Sequence, residues 1–137
     1  MIRRLLIQSF KAFAAEPADA PGIPLQPFTV LVGPNGSGKS TILQAIDMLG
    51  WLSNGSLSGM LEAHQWAYAD LRHQRGRGVM SIVAEVALSG ADGGNALWTV
   101  ELGPREADCI VEELIEKQSG AETDVIVDRR GREVQRY

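Results

Sequence analysis

The sequence predicts an α/β fold in which a strand, a glycine-rich loop and a helix precede an antiparallel β-subdomain. The first observation is the run at 28–32, which is apolar and β-favouring, as a buried parallel strand should be. The second is a set of apolar residues that recur at helical spacing after the loop: Ile42, Ala45, Ile46, Leu49 and Leu52. The third is the alternation of apolar and polar residues over 80–89 and 98–102, which predicts a hairpin across a turn at 90–95.

The other elements follow from local composition. A first strand is predicted at 2–10, and the loop at 14–27 contains four prolines that forbid a continuous helix or a central strand. A second helix is predicted at 60–72, before the glycines at 76 and 78. The segment 104–118 fits either a helix or a strand, and 125–135 predicts a last hairpin around a glycine turn.

We expect these elements to form one domain made of three segments. A strand, loop and helix core spans 1–53, a helical insert spans 54–78, and the antiparallel β-subdomain spans 79–137. The length of 137 residues is enough for one domain with a buried core.

Composition restricts the functional classes. No apolar run approaches the ~20 residues of a membrane span, and polar residues follow the basic start too soon for a signal peptide, so we expect a cytoplasmic protein with no membrane partner. Cys109 is the single cysteine, which excludes a disulfide framework and a cysteine metal cluster and predicts a small core residue. The net charge of −4 gives no support to nucleic-acid binding.

Residues 33–41 read Gly-Pro-Asn-Gly-Ser-Gly-Lys-Ser-Thr, which has the Gly-x-x-x-x-Gly-Lys-[Ser/Thr] spacing of a Walker A phosphate-binding loop. Glycine is needed because the backbone must adopt positive φ angles and approach a triphosphate closely. Successive N–H groups and the positive end of the following helix then attract the anion. The motif therefore predicts ATP and Mg²⁺ as ligands. The residues that we expect to bind them from this loop are Gly33, Asn35, Gly36, Ser37, Gly38, Lys39, Ser40 and Thr41.

Individual roles follow from side-chain chemistry. Lys39 is the predicted catalytic residue, because its ammonium can reach the β- and γ-phosphates. The Ser40 hydroxyl is the predicted Mg²⁺ ligand, since Mg²⁺ prefers oxygen ligands. Thr41 is placed to donate to the α-phosphate, whereas Asn35 and Ser37 shape the loop and need not touch the ligand.

Two basic clusters are interpreted as solvated turns in preference to DNA contacts. The first holds Arg72, His73, Arg75 and Arg77, and the second holds Arg129, Arg130, Arg132 and Arg136. His64 and His73 are nine positions apart and do not share a helical face, so we expect surface or packing roles and no metal pair.

Three features occurring together carry a resemblance to a known family. They are the strand end Ser9-Phe-Lys-Ala-Phe13, the loop at 33–41, and the helix with Leu43-Gln-Ala-Ile46. The chain resembles the N-terminal part of SMC/RecF-like ABC-type ATPases, a class that includes AAA-like ATPases related to overcoming-lysogenization-defect nucleases. The resemblance implies a P-loop NTPase lobe with an antiparallel β-subdomain, and it favours a strand at 109–117. It also implies that Lys11 and Phe13 lie near the adenine or ribose. The alternative is that Phe10 and Phe13 are core residues beside an exposed lysine.

The sequence departs from that family in three motifs. It contains no Walker B strand ending in Asp-Glu, no Leu-Ser-Gly-Gly signature and no switch histidine. Two weak substitutes for Walker B are the run at 109–111 before Glu112 and Glu113, and the run at 125–127 before Asp128. We therefore expect an incomplete lobe, the N-terminal portion of a longer ATPase domain whose C-terminal lobe supplies Walker B.

Three functions remain open. The first is an ATPase half-site that an ATP-dependent homodimer completes and that is inactive or very slow when isolated. The second is a complete small P-loop kinase that uses Asp128 or Glu112 as its catalytic acid. The third is a non-catalytic module that binds DNA or a partner protein through its basic loops.

Overall fold

The fold is described here from a computed structural model. It describes the chain except for residues 16, 18, 55–56, 77, 90–93, 104–111, 120–121, 131–132 and 137. The predictions for Cys109, Arg77 and Arg132 lie outside the described residues. The side chains of Glu112, Glu113, Asp128 and the arginines at 129, 130 and 136 also lie outside them, so the weak Walker B candidates stay predictions.

The described strands form one seven-stranded sheet in which every neighbouring pair is antiparallel. The strands, in chain order, are β1 (Ile2–Gln8), β2 (Ile23–Pro24), β3 (Met80–Ala87), β4 (Asn95–Leu102), β5 (Glu112–Ser119), β6 (Glu122–Arg130) and β7 (Glu133–Arg136). Their order across the sheet is β2-β1-β3-β4-β5-β6-β7. Strand β1 comes from the first predicted segment and β3 from the third, so these segments share one sheet. The division into 1–53, 54–78 and 79–137 itself stays a prediction.

Two helices and a short 3₁₀ helix lie between β2 and β3. Helix α1 spans Lys39–Asn54, helix α2 spans Leu57–His64, and the 3₁₀ helix spans Tyr68–Leu71. The described chain is therefore an α/β fold with an antiparallel sheet, as the alternation of apolar residues predicts. The strand at β5 also resolves the ambiguity at 104–118, where the described residues 112–118 are extended.

The core forms where apolar faces of α1 and α2 meet alternate residues of the central strands. Period-two alternation brings one face of each strand to the core, and period 3.6 does the same for α1. The buried cluster contains Leu5, Ile7, Phe10, Ile42, Ala45, Met48, Leu49, Leu52, Leu57, Met60, Tyr68, Leu71, Met80, Ile82, Ala84, Val100 and Leu102. Tyr68 fixes the 3₁₀ helix on the sheet, because its buried hydroxyl donates to the Gly103 carbonyl at 2.7 Å.

The prediction of a buried parallel strand at 28–32 is wrong for this chain. The segment pairs with none of the described strands, and Phe28, Val30 and Val32 are 85%, 64% and 89% exposed. A central parallel strand needs parallel neighbours on both sides. The described strands are all paired antiparallel with each other, so they provide no such neighbour for 28–32. Leu31 does pack against the core.

The predicted helix at 60–72 is wrong in its extent. Helix α2 ends at His64, Gln65 has a φ of 56°, and the chain then runs through Trp66 into the 3₁₀ helix. The break is a Schellman motif: with Gln65 at positive φ, the Trp66 N–H donates to the Leu61 carbonyl at 2.9 Å and the Gln65 N–H donates to the Glu62 carbonyl at 3.1 Å. Among the described residues, no helix is both long and apolar enough to cross a bilayer.

Two leucines on α1 test the assignment of its core face. Leu49 is 2% exposed and Leu43 is 61% exposed. We expect Leu49→Ala to lower the free energy of unfolding by about 2–5 kcal/mol, because it removes buried methyl groups and leaves a cavity. Leu43→Ala should stay within about 0.5 kcal/mol of the parent. Urea denaturation measures both, and equal losses would contradict the assigned face.

Candidate functional site

The loop at 33–38 makes the tight reversal that a phosphate-binding loop requires. The Ser37 N–H donates to the Pro34 carbonyl at 3.3 Å, and Gly36 and Gly38 have φ angles of 80° and 90°. A Cβ at Gly33 would lie 2.8 Å from Ser37 Oγ, so the loop also closes on itself at its first glycine. Gly36 and Gly38 need glycine because their positive φ angles strain other residues.

The Lys39 side chain folds back over this loop. Its ammonium donates to the Gly33 carbonyl at 2.8 Å and to the Pro34 carbonyl at 2.6 Å, with Ser37 Oγ at 3.4 Å. The lysine is therefore held at the centre of the loop by oxygen atoms, where an ammonium charge faces whatever occupies the concavity. A polyanion would be a stronger partner for this ammonium than neutral carbonyls are.

Backbone donors of the loop are free to face an anion. The N–H groups of Gly36 and Gly38 have no acceptor among the described residues. Helix α1 begins immediately afterwards at Lys39, and the first N–H groups of a helix have no intrahelical partner. Ser40 is exposed in that first turn, whereas Thr41 is 6% exposed. The loop and helix end thus form an electropositive concavity.

Phe13 lies against the last glycine of the loop. A Cβ at Gly38 would be 3.2 Å from Phe13 Cε2 and 3.8 Å from the Ala12 Cβ. Phe13 is half-buried, whereas Phe10 is fully buried in the core. The segment that follows β1 therefore reaches the phosphate-binding loop and supports it from one side.

Lys11 lies beside the loop without being fully exposed. Its ammonium is 3.5 Å from the centroid of the Trp66 ring, which is a cation–π contact. Burial lowers the pKa of Lys11 from its ordinary value, and the nearby Asp70 carboxylate opposes that shift. The alternative interpretation predicted that Lys11 is exposed. The side chain is partly buried, so this part of the alternative is wrong. A partly desolvated ammonium here favours an anionic neighbour.

Residues 9–13 are joined to residues 71–73 by hydrogen bonds. The Lys11 N–H donates to the Leu71 carbonyl at 2.8 Å, and the His73 N–H donates to the Ser9 carbonyl at 3.0 Å. The His73 ring Nδ1 lies 2.8 Å from the Lys11 carbonyl. Phe10 and Arg72 form an isolated antiparallel bridge between the two segments. We call this set of contacts the junction.

A cleft of about 560 Å³ opens between the junction and the phosphate-binding loop. Its lining is mostly polar and joins three parts of the chain that are far apart in sequence: Lys11, Ala12, Gly36, Ala69, Asp70, Arg72, His73 and Gln74. Its volume falls within the range of about 300–1,000 Å³ that is common for small-molecule sites. Sequence reasoning predicted Lys11 and Gly36 here, but it assigned no ligand role to Asp70, His73 or Gln74.

The two histidines occupy different surroundings, as predicted. His64 Nε2 lies 2.8 Å from Asp47 Oδ2 on α1, and its ring stacks on Trp66 with centroids 4.3 Å apart. His73 belongs to the junction. Within the described residues, no group of three or more His, Cys, Asp or Glu side chains could hold a metal ion. The described parts of the chain thus offer Mg²⁺ no such carboxylate or histidine cluster.

The first basic cluster is only partly available to an external partner. The Arg72 guanidinium donates through Nη2 to the Gly76 carbonyl at 2.8 Å and to the Gly78 carbonyl at 3.2 Å. Its buried Nη1 has no hydrogen-bond partner. Arg75 is exposed. Arg72 therefore shapes the turn after His73, in agreement with the predicted structural role.

Comparison with known proteins gives two matches. A family model described as "AAA domain, putative AbiEii toxin, Type IV TA system" matches residues 28–129, which is more than half of the chain. An OLD nuclease of Thermus scotoductus (strain ATCC 700910 / SA-01) is 47% identical over 49 residues, covering 36% of this chain and 8% of that protein. The chain thus spans under a tenth of that relative's length. No solved structure matches the chain significantly.

Two glycines test the geometry of the loop. We expect Gly38→Ala to lower the free energy of unfolding by about 1–3 kcal/mol, because the residue has a φ of 90° and its Cβ would press on Phe13. Gly50→Ala is the matched substitution inside α1, where a Cβ meets no atom within 4 Å. It should raise stability by up to about 1 kcal/mol. Opposite signs in urea denaturation are expected, and a stabilising Gly38→Ala would contradict the loop conformation.

Proposed function

The chain belongs to the AAA-domain family whose model it matches, and from this membership, which implies ATP binding, we propose how its residues bind the nucleotide. The triphosphate occupies the concavity of the loop at 33–41, with Gly33, Asn35, Gly36, Ser37, Gly38 and Thr41 around it. The observation that carries the proposal is the Lys39 ammonium, held over that concavity by two carbonyl oxygens at 2.8 and 2.6 Å. On binding, the ammonium moves to the phosphate oxygens, where it is the catalytic charge.

The residues near the loop fit Mg²⁺ as the accompanying ion. Ser40 is exposed in the first turn of α1 and its hydroxyl is the proposed ligand, with phosphate oxygens and water completing the shell. Bound there, the ion would neutralise charge on the transferring phosphoryl group. Lys39 would add a second positive charge from the other side of the loop.

We propose that Lys11 and Phe13 lie at the nucleoside end of the same ligand. Phe13 packs against Gly38, and Lys11 lines the adjoining cleft. In this proposal the nucleoside extends from the loop into that cleft, so both residues lie beside it. The partly desolvated ammonium of Lys11 is suited to the α-phosphate or the ribose.

A further lobe completes the ATPase in this proposal. The support is the segment at 28–32, in which the side chains of Phe28, Val30 and Val32 are largely exposed. Three large exposed apolar residues so close together favour a further part of the protein that covers them. We propose this cover as a neighbouring element and not as a strand pairing with 28–32. We infer that this element comes from the C-terminal ATPase lobe, which also supplies the Walker B carboxylates. The chain then corresponds to the N-terminal lobe of the domain.

The finer class of the protein is also part of the proposal. An SMC/RecF-like ATPase would complete its site through a signature motif from a second subunit in an ATP-dependent homodimer, in the cytoplasm. The OLD nuclease relative is consistent with that class, and its name favours nucleic acid as a partner. For this chain, the homodimer and DNA remain predictions.

Two lysines give the direct test of the phosphate site. We expect Lys39→Ala to weaken ATP binding by roughly 10–100-fold, because a hydrogen bond to a charged group contributes about 1.5–3 kcal/mol. Lys117→Ala, on strand β5 far along the sheet from the loop, should leave the affinity unchanged. Isothermal titration calorimetry with ATP and Mg²⁺ measures both. Equal affinities of Lys39→Ala and the parent would refute the proposal.

Hydrolysis tests the need for a further lobe. We expect the 137-residue chain to release phosphate from ATP at the background rate of Lys39→Ala, since the sequence contains no Walker B strand ending in Asp-Glu and the Asp70 carboxylate in the cleft already accepts a hydrogen bond from the Ala67 N–H at 2.8 Å. A phosphate-release assay measures this. Turnover at an ordinary enzyme rate of about 1 s⁻¹ or more, abolished by Lys39→Ala, would show that the chain is a complete enzyme.

A further inference from the structure

We propose that residues 70–74 form the second wall of the nucleoside subsite, with His73 and Gln74 as contacts for the ribose or base. This inference rests on the proposed ATP binding and extends it from the phosphates to the other end of the ligand. It concerns residues that no sequence motif marks. Its basis is the cleft that joins Gly36 to Asp70, His73 and Gln74.

The position of the cleft selects the part of the ligand that it holds. One end is Gly36, a residue of the phosphate-binding loop. Lys11 and Ala12 form one wall, and the segment from Asp70 to Gln74 forms the other. A nucleotide whose phosphates occupy the loop therefore has this volume available for its sugar and base. A free polyphosphate would occupy the loop and leave the cleft empty.

The two walls are held together firmly enough to preform a site. Three hydrogen bonds of 2.8–3.0 Å cross the junction, and the two between backbone groups form the bridge of Phe10 with Arg72. Phe10 and Leu71, which flank the junction, are fully buried. The second wall is also held at its start, because Asp70 Oδ2 accepts a hydrogen bond from the Ala67 N–H at 2.8 Å. Preorganisation of this kind reduces the entropy lost on binding.

The hydrogen bond of His73 fixes the chemistry that its ring presents. The Lys11 carbonyl can only accept, so His73 Nδ1 must carry the proton in their 2.8 Å contact. In the neutral ring, Nε2 is then an acceptor, which suits a ribose hydroxyl or the exocyclic amino group of a base. Gln74 is exposed on the same wall and its amide both donates and accepts. Arg72 is excluded as a contact through Nη2, because that nitrogen is bound to the Gly76 and Gly78 carbonyls.

Comparing ATP with inorganic tripolyphosphate separates the two ends of the ligand. His73→Asn keeps an amide that can donate to the Lys11 carbonyl and removes the Nε2 acceptor. Gln74→Ala changes an exposed residue and should not affect folding. We expect each variant to weaken ATP binding about tenfold, with tripolyphosphate binding unchanged. Gln118→Ala, an exposed glutamine on β5, is the matched control and should change neither affinity.

Calorimetry with Mg²⁺ present distinguishes the possible failures. Unchanged ATP affinity in both variants would overturn the inference and leave the phosphate site intact. Equal weakening toward ATP and tripolyphosphate would also overturn it, because the wall would then act through the loop. A parent chain that binds neither ligand, or a Lys39→Ala variant that binds both normally, would refute the proposed function itself. Thermal unfolding of each variant confirms that the fold is retained.

Discussion

The rest of the candidate site depends on the junction between residues 9–13 and 71–73. These segments are some sixty positions apart, and the antiparallel pairing of β1 with β3 brings them to the same end of the sheet. Without the junction, Phe13 would have no fixed position under the phosphate-binding loop, and the cleft would lose one wall. The pairing of β1 with β3, which includes Ile7 and Ile82 in the core, therefore positions the residues of the candidate site.

Much of the fold was predictable because the relevant patterns are local. The helical spacing after the loop predicted the buried face of α1, and alternation predicted β3 and β4 as a hairpin. The prediction of a strand at 28–32 is wrong for a non-local reason. Burial of a parallel strand requires neighbouring strands that the described residues do not provide. The prediction of a helix at 60–72 is wrong in extent because helical spacing of apolar residues continues past His64, where the helix ends. Trp66 instead contacts Lys11 and the His64 ring.

The candidate site likewise contains residues that local sequence patterns predict and residues that only the tertiary structure brings together. The loop at 33–41 is contiguous, so its spacing and its glycines identify it without any tertiary information. His73 and Gln74 could not be found from the sequence, because their relation to Gly36 arises from sheet topology. The first basic cluster is prominent in the sequence because of its charge. Its Arg72 guanidinium nevertheless donates hydrogen bonds to the Gly76 and Gly78 carbonyls. A polar histidine following a short apolar segment is too common a pattern to indicate a ligand contact.

The energetically unfavourable features of the chain collect around the cleft. Ser9 and Lys11 have φ angles of 53° and 47°, which cost non-glycine residues about 1 kcal/mol or more each. Beside them, Lys11 is partly desolvated and the buried Nη1 of Arg72 lacks a partner. The core, in contrast, is apolar and regularly paired. Strain of this kind persists only where the surrounding packing imposes it, and Phe10 and Leu71 provide that packing. An anion bound beside Lys11 would stabilise the charged form of its ammonium. Ligand binding would therefore offset the free energy that the partial desolvation of Lys11 costs.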